Sequence, residues 1–275
     1  MIIAALTVLG LCLGSFINAL VYRLRWQETH SKKSEKYSIA KGRSICPHCK
    51  QVLQPKDLIP LLSWIFLRGK CRYCKRPISA QYPIVEASTA VLFILSYIFW
   101  PGLQDTAVET ADIISFVAWL GVLTGLIALA VYDAKWMILP NKIIFPLLIL
   151  ATGSVLAQAV LQQDYNMIVS SAAGALVGGG IFYVLFQISG GKWIGGGDVK
   201  LGFLLGIIVG EPILAFLMLF IASLLGSIFS IPLILKSRLG SRAKIAFGPF
   251  LIASTIITSL WGGEIIDLYN NLLML

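Results

Sequence analysis

Four of the five cysteines stand in two Cys-x-x-Cys pairs, Cys46-Pro47-His48-Cys49 and Cys71-Arg72-Tyr73-Cys74, with 21 residues between the pairs. Each pair can place two thiolates on one ion through a tight turn, and two pairs complete a tetrahedral zinc site. Four thiolates leave no open position for water, so such a site is structural rather than catalytic. The same cysteines could instead form two disulfides, which a reducing compartment disfavours. His48 could stand in for one thiolate, but four cysteines give it no need to. Few long apolar runs surround the pairs, so a bound metal would supply much of the folding free energy of this segment. The fifth cysteine, Cys12, lies in an apolar stretch and reads as packing.

Two acidic residues carry a second kind of chemistry. Asp133 ends an apolar run in Ala130-Val131-Tyr132-Asp133-Ala134-Lys135, and Asp198 opens one in Gly195-Gly196-Gly197-Asp198-Val199-Lys200. Ionisable groups at membrane depth are costly and rare, so each is a functional candidate. Each also has a plain structural reading: Asp133 can snorkel and pair with Lys135, and Asp198 can cap a helix after a glycine turn. As a pair they can do more. Two close carboxyl groups tend to share one proton. The ionised partner can then take a proton from water while the protonated one polarises a peptide carbonyl, the apparatus of an aspartyl protease. The glycines before Asp198 would let an extended substrate backbone come close. Glu86 is a third acid at a span boundary and could pair with a loop cation.

Other chemistries lack their parts. The glycine-rich run 190–198 has no Gly-Lys-Ser/Thr ending for a phosphate loop. Ser15 and Ser189 have no histidine near them, since the only two, His30 and His48, lie in one polar segment.

The elements that must position these residues follow from composition. Of 275 residues, 57% are hydrophobic and 13% charged, against about 45–50% and about 25% in soluble domains. Mean hydropathy is +0.84. A soluble domain cannot bury that much apolar surface, and a disordered chain would be polar. The expected fold is therefore an all-α polytopic membrane protein of seven to eight transmembrane helices with a small zinc-binding cytoplasmic loop domain. Apolar runs at 1–22, 84–100, 113–131, 143–161, 168–188, 213–235 and 245–261 are long enough to cross; 199–210 is marginal. The first has neither preceding charges nor an Ala-x-Ala-like site, so it reads as an uncleaved span. The domain expectation is a first helix over 1–22, a four-cysteine zinc-binding segment over 23–83 and a membrane domain over 84–275.

Charge orients the spans. With eight crossings, the segments 23–83, 133–142, 190–200 and 236–244 share one face and hold 14, 2, 2 and 4 Lys and Arg, all 22 of the protein. The opposite segments hold only acids, among them Glu109, Asp164 and Glu211. Basic loops stay cytoplasmic, so both termini are expected outside. Asp133 and Asp198, two crossings apart, emerge on the cytoplasmic face. The formal charge of +9 is then a topology signal with some attraction to lipid headgroups; no nucleic-acid partner is called for. Gly174 and Gly178-Gly179-Gly180 in one span permit close helix approach, either within the bundle or to a substrate helix.

Taken in order, short blocks along the chain resemble the type IV prepilin peptidases, polytopic Gly-x-Gly-Asp aspartyl proteases of bacterial inner membranes. They are Gly14-Ser15-Phe16-Ile17-Asn18 with Tyr22-Arg23; Ser44 through Cys49; Leu67-Arg68-Gly69-Lys70-Cys71 through Cys74; Pro77-Ile78-Ser79 and Tyr82-Pro83-Ile84-Val85-Glu86; Asp133 with Leu139-Pro140-Asn141; Gly195 through Lys200; and Phe247-Gly248-Pro249-Phe250. Arg25 stands where the family often has proline. The resemblance implies cleavage of the basic leader from prepilins or pseudopilins at the cytoplasmic membrane boundary, with Asp133 and Asp198 as the catalytic pair and Cys46, Cys49, Cys71 and Cys74 on zinc. It also implies methylation of the new N-terminus with S-adenosylmethionine, to which Gly69 and Glu86 would contribute; the residues themselves display no methyl-donor motif. The partners implied are prepilins or pseudopilins and membrane lipid. A polytopic transporter with a zinc-ribbon regulatory loop is the alternative, disfavoured because the acids cluster at span ends rather than mid-bilayer.

Overall fold

The computed structural model describes residues 1–30, 37–39, 42–100, 102–103, 109–236 and 245–273, with the backbone alone at 233–236. They form α1 (Ile2–Thr29), α2 (Leu62–Phe66), α3 (Gln81–Phe99), α4 (Thr110–Trp136), α5 (Asn141–Leu161), α6 (Asn166–Ser189), α7 (Gly196–Val209), α8 (Pro212–Lys236) and α9 (Gly248–Leu273). Seven of these, all but α2 and α7, are long and apolar enough to cross a membrane. The protein is thus an all-α, polytopic membrane protein.

The marginal eighth run becomes α7, whose 14 residues reach about 21 Å at about 1.5 Å per residue, short of the ~30 Å hydrocarbon core. So short a helix persists through packing rather than propensity. Leu201, Leu204 and Leu205 are fully buried, and α7 packs against α5, α6, α8 and α9. Its contact with α6 is made of glycines. A methyl on Gly178 would lie 2.7 Å from the Gly202 carbonyl oxygen, and one on Gly174 would lie 2.7 Å from that of Gly206. Gly179 takes the Phe203 ring against its backbone. Of the two uses expected for these glycines, internal packing is the one seen, while Gly180 meets nothing within 4 Å.

Several helix ends differ from the apolar runs. α1 continues past Tyr22 to Thr29 and carries Arg23 and Arg25 with it. Arg23, buried, donates to the carbonyls of Ile39 (2.9 Å) and Gly42 (2.8 Å), tying the start of the polar segment to the helix. The last helix begins at Gly248 rather than 245, with Pro249 in its first turn, where a missing N–H costs nothing. Of the basic segment 236–244, residues 237–244 lie outside the described residues.

The chain divides into two compact units, Met1–Ile98 and Phe99–Leu275. In the first, α1 and α3 touch through small residues: a methyl on Gly10 would lie 2.6 Å from Ala90 Cα, and one on Gly14 2.6 Å from Glu86 Cα. In the second, α5, α6, α8 and α9 pack around α7, and Asp133 stands on α4 and Asp198 on α7.

Candidate active site and metal centre

Asp133 sits in the last turn of α4, 5% exposed. The helix ends at Met137, in the left-handed region (φ 54°), whose N–H donates to the Asp133 carbonyl at 2.7 Å. The chain then turns through Leu139-Pro140 into α5. Leu139 rests on the first turn of α7, where a methyl on Gly197 would lie 3.2 Å from Leu139 Cβ. Lys200 Nζ donates to Asn141 Oδ1 at 3.0 Å. The end of α4 and the start of α7 are therefore held side by side.

Asp198 is the third residue of α7, after an N-cap at Gly195. It is therefore not the cap that one sequence reading allowed; its carboxylate sits in the first turn, where the helix dipole favours negative charge. It is half-buried, with exposed Gly195 and Gly196 on its approach. The Asp133 and Asp198 carboxyl groups lie within electrostatic reach of each other. Lys135 does not supply the partner expected for Asp133; its ammonium lies 5.3 Å from the centre of the Trp136 ring. The hydrogen bond to Asp133 comes from a third element instead. The Gly248 N–H, at the start of α9, donates to Asp133 Oδ2 at 3.0 Å.

Sequence reading gave Gly248 no role, although it stands in a block of the family pattern. A methyl there would lie 2.5 Å from Asp133 Oδ2. Gly248→Ala is expected to displace the carboxylate and lower peptide cleavage by roughly 10²-fold, since a misplacement of about 1 Å at a reacting group can cost that much. Comparing kcat at saturating substrate, with thermal unfolding in detergent as the fold control, checks it.

The first unit contains the four cysteines as two copies of one turn. In the first, Cys46 N–H donates to Gln51 O and Lys50 N–H to Cys46 O, both at 3.0 Å; in the second, Cys71 N–H donates to Arg76 O (2.9 Å) and Lys75 N–H to Cys71 O (3.0 Å). The residue after each second cysteine is left-handed, Lys50 at φ 60° and Lys75 at φ 59°. Isolated antiparallel bridges, Ile45 to Val52 and Lys70 to Pro77, close the two turns. The four Sγ atoms lie within 4.8 Å of one another, and Cys46 and Cys74 are 3.9 Å apart. Tetrahedral zinc with Zn–S bonds of ~2.3 Å requires Sγ atoms about 3.8 Å apart, whereas a disulfide needs about 2.05 Å; the four cysteines are free thiols. Geometry and donor set therefore fit a tetrahedral metal. Burial pushes the Cys46 thiol up to about 11, while the backbone N–H of Arg76 brings Cys74 down to about 7. Deprotonation to the metal-binding thiolate is thus easier at Cys74 than at Cys46.

The residues between Cys71 and Cys74 have their own task. Arg72 Nε donates to Asp57 Oδ1 at 2.6 Å and the Tyr73 hydroxyl to Oδ2 at 3.0 Å, with Gln54 N–H a third donor at 3.1 Å. Burial alone would raise the Asp57 carboxyl, but these donors, Arg72 first, hold it below its usual value.

Glu86 and Gly69 are also in this unit but do different things. Glu86, 6% exposed, accepts the Leu61 N–H at 2.8 Å rather than pairing with a loop cation. It lines a cavity of about 150 Å³, open at its mouth, together with Tyr22, Tyr37, Arg43, Trp64 and Tyr82. Gly69 is outside that lining. It turns the chain at φ +67°, its N–H bonds Trp64 O at 2.8 Å, and a methyl on it would lie 3.0 Å from Trp64 Cζ2. Gly69 therefore shapes the cavity through Trp64.

The fold and these sites define a polytopic membrane protein with two neighbouring carboxylates in one unit and a four-cysteine cluster that could hold a metal ion in the other. The bacterial peptidase A24 N-terminal domain matches residues 8–100, and the type IV leader peptidase family matches residues 120–231. The chain is 32% identical over 281 residues to the prepilin leader peptidase/N-methyltransferase of Aeromonas salmonicida, covering 94% of this chain and 91% of the relative. It is 33% identical over 268 residues to the protein of that name in Bacillus subtilis, covering 97% of each. A type 4 prepilin-like proteins leader peptide-processing enzyme of Escherichia coli O78:H11 is 37% identical over 265 residues, covering 92% of this chain and 91% of the relative. No solved structure matches. The chain belongs to the type IV leader peptidase family.

Proposed function

We propose that the protein is a prepilin leader peptidase of the bacterial inner membrane that hydrolyses the peptide bond after the basic leader of prepilins or pseudopilins, with Asp133 and Asp198 as its catalytic pair. What supports this reading is that the Asp133 carboxylate, at the end of α4 and bonded by the Gly248 amide, lies within electrostatic reach of the Asp198 carboxylate at the start of α7. One carboxylate, ionised, takes a proton from water as the water oxygen attacks the scissile carbonyl. The other, protonated, gives its proton to the carbonyl oxygen. Collapse of the tetrahedral intermediate breaks the C–N bond, the proton passes to the leaving amine, and a carboxylic acid and a new N-terminus result. A prepilin presents its basic leader on the cytoplasmic side ahead of one apolar helix, which supports a cytoplasmic active site.

The four cysteines would hold one zinc ion, whose role is to fold the module. The cavity of the first unit is the candidate site of N-methylation. Bound there, S-adenosylmethionine would supply an electrophilic methyl group. The Glu86 carboxylate and the aromatic faces of Tyr22, Tyr37 and Trp64 would hold cationic groups in the cavity. The experiment is incubation of the purified protein with a synthetic prepilin, with and without methyl donor, read by mass. Loss of the leader mass alone, then gain of one methyl group when donor is added, is expected. An intact peptide would overturn the peptidase reading, and a cleaved but unmethylated one the second activity.

A further inference from the structure

α2 turns large apolar side chains outward as well as inward. Ser63, Trp64 and Leu67 face the cavity, whereas Leu62, Ile65 and Phe66, at positions i, i+3 and i+4, are 51%, 59% and 79% exposed. Ile59, just before the helix, is 47% exposed. Exposed apolar groups gathered this closely mark a surface that something covers. The depth of the turn says what covers it. α3 has 19 residues, about 28 Å, so it can span a core of about 30 Å only if nearly all of it is immersed. Glu86, its sixth residue, therefore lies at or inside the membrane boundary. The Leu61 N–H, one residue before α2, donates to Glu86 at 2.8 Å, which pins α2 at that depth. Ile84 of α3, 62% exposed, continues the apolar surface there. Exposed Lys56, Arg68 and Lys70 flank the apolar run in sequence, the charge an anionic headgroup layer attracts.

We propose that Ile59, Leu62, Ile65 and Phe66 insert into the headgroup–acyl boundary of the bilayer that α1 and α3 cross, so that the metal module lies on the membrane surface with its cavity at the level of the lipid headgroups. The occupant is lipid of the same membrane, as for an interfacial amphipathic helix. This rests on the membrane-spanning character of α3 and not on the peptidase reading. It also gives the 3₁₀ turn at Pro55–Asp57 and the Asp57–Arg72 ion pair a purpose: they bind the inserted turn to the second metal knuckle.

The test is a nitroxide carried by a genetically encoded residue at Phe66, which leaves the zinc cysteines untouched. The full chain is reconstituted in vesicles of equal parts phosphatidylcholine and phosphatidylglycerol. Power saturation then compares collisions with oxygen, which partitions into the bilayer, against a water-soluble nickel chelate. Because Phe66 is exposed, the label leaves the fold intact, verified by thermal unfolding. Oxygen access exceeding nickel access several-fold is the expected result. Greater nickel access would overturn the proposal. So would shielding from both reagents that appears only on adding prepilin or raising protein density, since it would assign the face to a protein partner.

Discussion

Asp133→Asn and Asp198→Asn are each expected to lower leader cleavage by roughly 10²–10⁴-fold, the range set by general acid–base catalysis, while the protein stays folded in the membrane. Asparagine keeps the shape of the carboxyl group and can still accept the Gly248 N–H, which the native Asp133 accepts at 3.0 Å; packing is thus spared and proton transfer is not. Groups that act as one unit lose activity non-additively. The double variant is therefore expected to fall little below either single one. Mass analysis of a synthetic prepilin measures cleavage, and thermal unfolding in detergent measures fold. A pre-cleaved pilin N-terminus offered to the same variants should still be methylated, because the cavity residues belong to the other unit. One aspartate variant with full cleavage activity would reduce that residue to a structural role.

The helices and the residues that carry chemistry were legible for different reasons. Span positions follow from apolar run length, which bilayer thickness fixes; the aspartates and cysteines stand out because charge at membrane depth and paired thiols are rare. What stayed hidden was tertiary. The short helix α7 could not be separated from a true crossing by hydropathy, since its leucines are apolar for burial by neighbouring helices rather than by lipid. The backbone donors, Gly248 to Asp133 and Leu61 to Glu86, leave no side-chain trace, and the only available sign was a glycine standing in a quoted block. Gly174 and Gly178 announced close approach but not its partner, which turned out to be Gly206 and Gly202 inside the same unit. The paired Cys-x-x-Cys-Lys pattern did hold a readable signal in its two lysines. Each marks a left-handed residue that closes a metal knuckle.

Metal removal should act on the other unit and at least as strongly. Among the described residues, the segment between α1 and α3 holds two knuckles, a 3₁₀ turn, a five-residue helix and isolated bridges, too little regular structure to order them unaided. Structural zinc contributes on the order of 10–16 kcal/mol of apparent binding free energy, comparable to the whole ~5–15 kcal/mol stability of a domain. Cys71→Ser removes one of two well-buried ligands and should bring metal content from one zinc per chain to near none. Trypsin should then cut among the Lys and Arg residues of the segment, which zinc-loaded protein resists. Acid should do the same through ligand protonation. The thiols must be deprotonated to bind, so affinity is present at neutral pH and lost as pH falls. Methyl transfer is expected to disappear with the module, because Trp64 holds its place in the cavity through bonds to Gly69 and Ile78 beside the second cysteine pair. Leader cleavage, whose proposed catalytic pair Asp133 and Asp198 lies in Phe99–Leu275, should drop far less. Elemental analysis with limited proteolysis decides the matter: a Cys71→Ser chain with unchanged zinc and an unchanged tryptic pattern would end the four-thiolate assignment.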